Sequence, residues 1–100
     1  MKVHLQSVNF NAGAKLINFV HSRLDKLEHF HDRIICSDVY LKLGNSSAKE
    51  NKIAEIKVHV PKEEYIIKKQ CRSFEEAVDM ASSSLERKLV RHKQKLKAKN

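Results

Sequence analysis

The sequence predicts an α+β fold of two layers, a four-stranded sheet with two helices packed on one of its faces, in the order βαβββα. Three observations predict it. In four short segments apolar and polar residues alternate, the period of a half-buried strand. In two longer segments apolar residues recur three and four apart, the period of a helix with one buried side. Because each helix is apolar on one side only, both must cover the sheet, and one shared face is the simplest solution.

The elements follow in order. Residues 2–8 carry Val3 and Leu5 in alternation, and the stretch 9–13 breaks that strand. Leu16, Val20, Leu24 and Leu27 then mark a helix over about 12–30, with Phe19 and Phe30 on its flank. Over 33–43, Ile35, Val39, Leu41 and Leu43 share one face of a second strand. The polar stretch GNSSAKEN, 44–51, is a loop. Ala54, Ile56, Val58 and Val60 line one face of a third strand over 53–60. Pro61 ends it, since proline cannot donate to the ladder. A fourth strand, 64–72, points Tyr65 and Ile67 one way. The first two strands are expected parallel through a right-handed crossover, and the last three are expected to be antiparallel neighbours.

Ser73 opens the last helix. Ser73 and Glu76 have the spacing of a capping box, in which side chains satisfy the free N–H groups of the first turn. The apolar seam runs Phe74, Val78, Ala81, Leu85, Leu89 and Leu96, with His92 on it as a residue covering the sheet edge. A helix from 73 to about 97 spans roughly 36 Å. A strand of eight residues spans only about 27 Å, so the last turns are expected to overhang the sheet into water.

The chain has 100 residues, which suits one domain over 1–100 without internal repeats. Lys plus Arg number 20 against 12 Asp plus Glu, a formal net charge of +8, which favours a polyanionic partner. No apolar run approaches the ~20 residues needed to span a bilayer, and the start lacks the apolar stretch of a signal peptide. A cytoplasmic protein without a membrane partner is therefore expected. Cys36 and Cys71 are too few for a disulfide scaffold and read as small packing residues.

The charge is concentrated. From Arg87 to Asn100 there are seven Lys or Arg and no acid, a basic helix end over 87–100. Cations at a helix C-terminus favour the helix dipole, which would account for one or two of them. Seven repel one another, so a polyanion is the better explanation. On a helical wheel Arg87, Lys88, Arg91 and Lys95 fall along one flank of the seam, and Arg23 and Lys26 sit beside the stripe of helix one. If the helices lie side by side, the two flanks border one groove suited to a run of phosphates. Such stripes fit the backbone of folded RNA read by shape. No aromatic pair is placed for base stacking: the phenylalanines and tyrosines all read as core or strand residues.

No nucleophile or acid–base pair is placed for catalysis, so an enzyme is not expected. His29, His31, Cys36 and Cys71 lack metal-ligand spacing, and the two histidines read as solvated. No cofactor or small-molecule substrate is implied.

SSLERKLVRHKQKLK (83–97), after SFEEAVD, resembles the last helix of the ribosome hibernation promoting factor and ribosome-associated inhibitor family. FVHSRLDKLEHF (19–30) is similar to that family's first helix, and the order of elements agrees over essentially the whole chain. The resemblance implies a fold like that of double-stranded RNA-binding domains. It implies a partner, the small ribosomal subunit and its rRNA, bound as a monomer in the channel used by messenger RNA and by A- and P-site tRNA. Translation is thereby blocked and ribosomes are stored in stress or stationary phase. The family's rRNA-contacting cations fall by position on Arg23, Lys26, Arg87 and Arg91; Lys88, Lys93 and Lys95 join them on charge grounds. The chain departs from relatives at His29, where some carry Lys, at Ser73, usually Asp, and at Glu75, often Tyr. Lys68 and Lys69 replace small residues and either add to the groove or are solvated. Ending soon after helix two, the chain looks like the short type, which in some bacteria aids ribosome dimerisation together with a separate small factor. The competing readings are a general double-stranded RNA-binding or assembly factor without translational inhibition, and a basic module that docks an acidic protein.

Overall fold

A computed structural model describes residues 1–44 and 49–98. The chain runs β1 (Lys2–Val8), α1 (Ala14–Leu27), β2 (Cys36–Leu43), β3 (Lys52–Val60), β4 (Glu63–Cys71) and α2 (Phe74–Ala98). The strands lie in the order β1-β2-β3-β4, with β1 parallel to β2 and the remaining pairs antiparallel. The register lines up Leu5, Val39, Ile56 and Ile67 across all four strands. Both helices cover that face, as expected from their one-sided apolar stripes. Of the loop expected at 44–51, positions 45–48 lie outside the described residues, as do 99–100 of the basic end.

The core is one layer between sheet and helices. Val39, Leu41, Ala54, Ile56 and Val58 are fully buried from the sheet side. Val20 and Leu24 of α1 and Val78, Ala81, Leu85 and Leu89 of α2 meet them, also fully buried. On α2 these positions are spaced three and four apart, so burial holds a single stripe and leaves the opposite side of the helix in water. The Ser73 hydroxyl accepts the Glu76 N–H at 3.1 Å, a side-chain cap at the start of the helix.

Three boundaries differ from expectation, each for a local reason. α1 begins at Ala14 and ends at Leu27. Past Leu27 the chain tightens: Glu28, His29 and Phe30 donate to the carbonyls three residues back, at 3.2, 3.1 and 3.0 Å. This tighter winding turns Phe30 off the helix stripe. The residues before β2 form a turn, so Ile34 enters the core and Ile35, expected on the core face, is 61% exposed. The β3–β4 connection is two residues, Pro61 and Lys62. Proline's negative φ excludes the turn types that need a positive φ at the first central position. Lys62 takes the left-handed conformation instead, with φ 68.

Leu85 sits on the α2 stripe with no solvent exposure. Leu85→Ala should destabilise the fold by about 2–5 kcal/mol, read as a lower urea midpoint with an unchanged denaturant slope.

Candidate nucleic-acid interface

The positive charge lies where burial ends. His92 is the last buried residue along α2 among those whose burial is described, and the turn that follows carries Lys93, Lys95 and Lys97 at or near the surface. The opposite end of α2 is acidic, with Glu75 and Glu76 in the first turn. Acids at the N-terminus and cations at the C-terminus each complement the helix dipole, so the helix is polarised along its axis. The open face of the sheet is mixed instead. Asp38, Glu55 and Glu64 stand among its lysines, and His59 bridges Asp38 at 3.0 Å and Glu64 at 3.3 Å.

Arg23 and Arg87/Arg91 lie on the same, helical side of the molecule. The Arg23 guanidinium reaches Asp79 of α2 at 3.3 Å and lies 5.0 Å from the centre of the Phe19 ring. Its Nε is buried without a partner. Arg23 is thus seated in the seam between the helices. An ion pair this exposed contributes at most about 1 kcal/mol, so it leaves the guanidinium available to a stronger anion. Lys26, one turn further, is exposed. Past the end of α1 a shallow groove of about 300 Å³ is lined by Phe30, Glu86, Arg87, Val90 and Arg91.

The single flank expected for Arg87, Lys88, Arg91 and Lys95 divides in space. Lys88 and Lys95 turn toward β4: Lys88 lies 5.9 Å from the centre of the Tyr65 ring, and Lys95 reaches Glu63 at 3.6 Å. Arg87 and Arg91 line the Phe30 groove instead. A wheel places residues by angle alone and cannot show which neighbours a long side chain will lean on. Lys93 opens onto a third place, a groove of about 410 Å³ shared with His31, Asp32, Arg33, Leu96 and Lys97. Arg33 and Lys97 add cations there that the wheel did not single out. Lys69 is half-buried on the helix-covered face, whereas Lys68 is exposed on the open face, away from these grooves.

Two histidines hold the basic end in place, which corrects the expectation of a solvated His31. His31 is 1% and His92 4% exposed. The Arg33 N–H donates to His31 Nδ1 at 3.1 Å, so that nitrogen carries no proton. His31 Nε2 then carries one and donates to His92 Nδ1 at 2.7 Å. His92 Nε2 stands 3.3 Å from Glu63 Oε2, within ion-pair range, and that oxygen accepts the Tyr65 hydroxyl at 2.6 Å. These contacts join the α1–β2 loop, α2 and β4. Burial, then the neighbouring His92, hold His31 below its ordinary value; Lys93 and Arg33 act the same way and Asp32 opposes them. The Tyr65 hydrogen bond, with Lys95 and His92, holds Glu63 below the usual carboxylate range. Tyr65 is pushed up to about 12 by burial and by that same bond. Cys71 is buried at the end of β4, which pushes its thiol up, and Cys36 lies on β2; both are free.

Residues 3–97 match the family described as sigma 54 modulation protein / S30EA ribosomal protein. The chain is 26% identical over 101 residues to a protein of Bacillus subtilis (strain 168) named ribosome hibernation promotion factor. That match covers 99% of this chain and 52% of the relative, so the chain spans about half the relative's length. Two solved structures share the fold. The N-terminal domain of Thermus thermophilus Protein Y superposes with a TM-score of 0.81 at 24% identity, covering 92% of this chain and 99% of that one. A ribosomal subunit interface protein from Coxiella burnetii gives a TM-score of 0.82 at 17% identity, covering 94% and 99%.

The histidine chain makes stability depend on pH with a definite sign. A histidine held below 6.5 in the folded state binds a proton more readily when unfolded. Its contribution is complete above that pH and is lost as pH falls through 6.5 toward the depressed folded value. The urea midpoint should therefore drop between pH 7.5 and pH 5. This drop should be largely absent in His31→Asn, which cannot titrate.

Proposed function

The chain belongs to the sigma 54 modulation protein / S30EA ribosomal protein family, and from that premise we propose that it is a ribosome hibernation factor that docks on the small subunit through its basic helical side. The observation that carries the reading is the placement of cations. Arg23 and Lys26 of α1 and Arg87 and Arg91 of α2 share one side of the molecule, at and beyond the helix seam. Lys88, Lys93 and Lys95 extend that charge around the free end of α2.

Ribosomal RNA presents phosphates in fixed positions. A rigid helix pair carrying cations can neutralise several at once and release their counterions. The principal extents of 51 × 23 × 18 Å describe an elongated body with the cation run toward the overhanging end of α2. Such a body wedged into the channel for messenger RNA and for A- and P-site tRNA excludes both by volume. The action is occupancy, without bond-making chemistry or cofactor. A monomer suffices for it. Ribosomes held this way cannot initiate, and whether they also pair through a separate small factor depends on surfaces other than this one. Because the bound target is the ribosome, the protein acts in the cytoplasm; among the described residues no helix is long and apolar enough to cross a membrane.

Arg87 and Arg91 are exposed, so Arg87→Glu with Arg91→Glu should fold as the parent does. In sucrose gradients the parent should co-sediment with purified small subunits and compete with messenger RNA and initiator tRNA. The double variant should lose at least tenfold in affinity, and its log–log salt slope should shallow by about two, one for each lost phosphate contact. RNA binding without that competition would point to a general double-stranded RNA-binding or assembly factor. Normal co-sedimentation of the variant would remove the two arginines from the interface.

A further inference from the structure

We infer that the groove past the end of α1 is a base pocket, which holds an unstacked guanine of RNA on Phe30 and Val90, with Arg87 and Arg91 on its flanking phosphates and Glu86 on its Watson–Crick edge. The inference rests on the RNA-binding reading above and adds a base-specific site to a surface otherwise argued from phosphate alone.

Phe30 is the starting point. Among the described residues it is the phenylalanine whose ring has no aromatic or cationic partner. Phe10 stacks on Phe74 with centroids 4.5 Å apart, and Phe19 lies under Arg23. Phe10, Phe19 and Phe74 also belong to the core or pack against it, whereas Phe30 does neither. The tight turn after Leu27 carries it to the helix surface, where it lines the groove with Val90. An aromatic ring half-buried outside the core, beside two arginines, has the features of a stacking platform for a nucleobase.

The rim supplies the rest. Arg91 is exposed and engages in no ion pair among the described residues, and Arg87 touches only the Ser84 hydroxyl, at 3.3 Å. Both guanidinium groups are free to take phosphate oxygens or to lie against the base. Glu86 lines the same groove, also outside any ion pair among the described residues. On a surface that only gripped phosphates, a carboxylate here would be repulsive. A carboxylate has two acceptor oxygens and no donor. Guanine presents two N–H groups side by side, N1–H and N2–H, which match those oxygens. Adenine presents an acceptor at the equivalent ring nitrogen and is disfavoured. At about 300 Å³ the groove is at the small end of ligand pockets, of a size for one base rather than a duplex.

The test uses RNA pentamers whose four flanking positions are abasic spacers and whose centre carries guanine, adenine or no base. Binding to the full chain is followed by NMR of the Val90 methyl groups and Phe30 ring, and by anisotropy. The guanine pentamer should bind roughly tenfold tighter than the baseless one, the scale of one stacked base. It should also shift the Val90 methyl resonances through its ring current. Phe30→Leu, which keeps the apolar bulk, should remove most of that advantage. Glu86→Gln should narrow the preference for guanine over adenine, and by removing a charge that repels phosphate it should tighten the baseless pentamer rather than weaken it. Free GMP should bind more weakly than the guanine pentamer because it lacks the flanking phosphates; equal binding would overturn the assignment to RNA. Equal affinity for guanine and baseless pentamers, or an unaltered advantage in Phe30→Leu, would overturn the base pocket. In that case the ribosome reading would still stand if Arg87→Glu with Arg91→Glu abolishes co-sedimentation with subunits. Base discrimination by a protein that ignores subunits would instead overturn the ribosome reading and keep the pocket.

Discussion

One apolar stripe on α2, from Phe74 to Leu89, governs where the positive charge of the protein can stand. Its buried residues recur at three- and four-residue intervals and pack on β3 and β4. A helix held along one line cannot roll. Every other position is therefore committed: to the seam with α1, to the margin over β4, or to water. The 25-residue helix outlasts the sheet beneath it, and the stripe stops before the helix does. Cations gather at the end that has no apolar surface to cover.

Holding that end still calls for polar chemistry. Packing a lysine-rich turn on the sheet with more apolar residues would bury charge at large cost. The contacts of His31, His92, Glu63 and Tyr65 bind loop, helix and hairpin together. Buried polar contacts of this kind rigidify the elements they join, and His31 lines the same groove as Arg33, Lys93 and Lys97. The same arrangement draws Lys95 toward Glu63 and leaves Arg87 and Arg91 to face outward near Phe30. Anchoring and display thus come from two sides of one helix.

Charge balance explains why the helical side, and not the sheet, is the electrostatic face. The open side of the sheet carries lysines too, but Asp38, Glu55 and Glu64 interleave with them and His59 links two of these acids. Alternating signs cancel within a Debye length of about 8–10 Å. The last three turns of α2 carry no acid of their own, and against their cations stand only Glu63, paired with Lys95, and Asp32 among the described residues, so the field reaches further. At the seam the counter-charge to Arg23 among the described residues is Asp79, an exposed carboxylate that a run of phosphates can replace.

Much of this was legible from residue order alone. Alternation in Val39, Leu41, Ala54, Ile56 and Val58, helical spacing in Leu16 through Leu27 and in Phe74 through Leu89, and the cap at Ser73 are local patterns, and local patterns determine element type, fold class and the stripe each helix buries. The crowding of cations after Arg87 is likewise a property of the chain itself. Tertiary structure alone decided what depends on partners distant in sequence. His31 and His92 are 61 residues apart, and nothing in their spacing announces a bond between them. Phe30 follows the helical period on paper and leaves it in space, because the backbone tightens by one residue per bond after Leu27. Lys88 and Arg91 share a flank on a wheel but part company once β4 offers Tyr65 on one side and α1 ends on the other. Periodicity records the direction in which a side chain leaves its helix, whereas its neighbours are set by where the rest of the chain has folded.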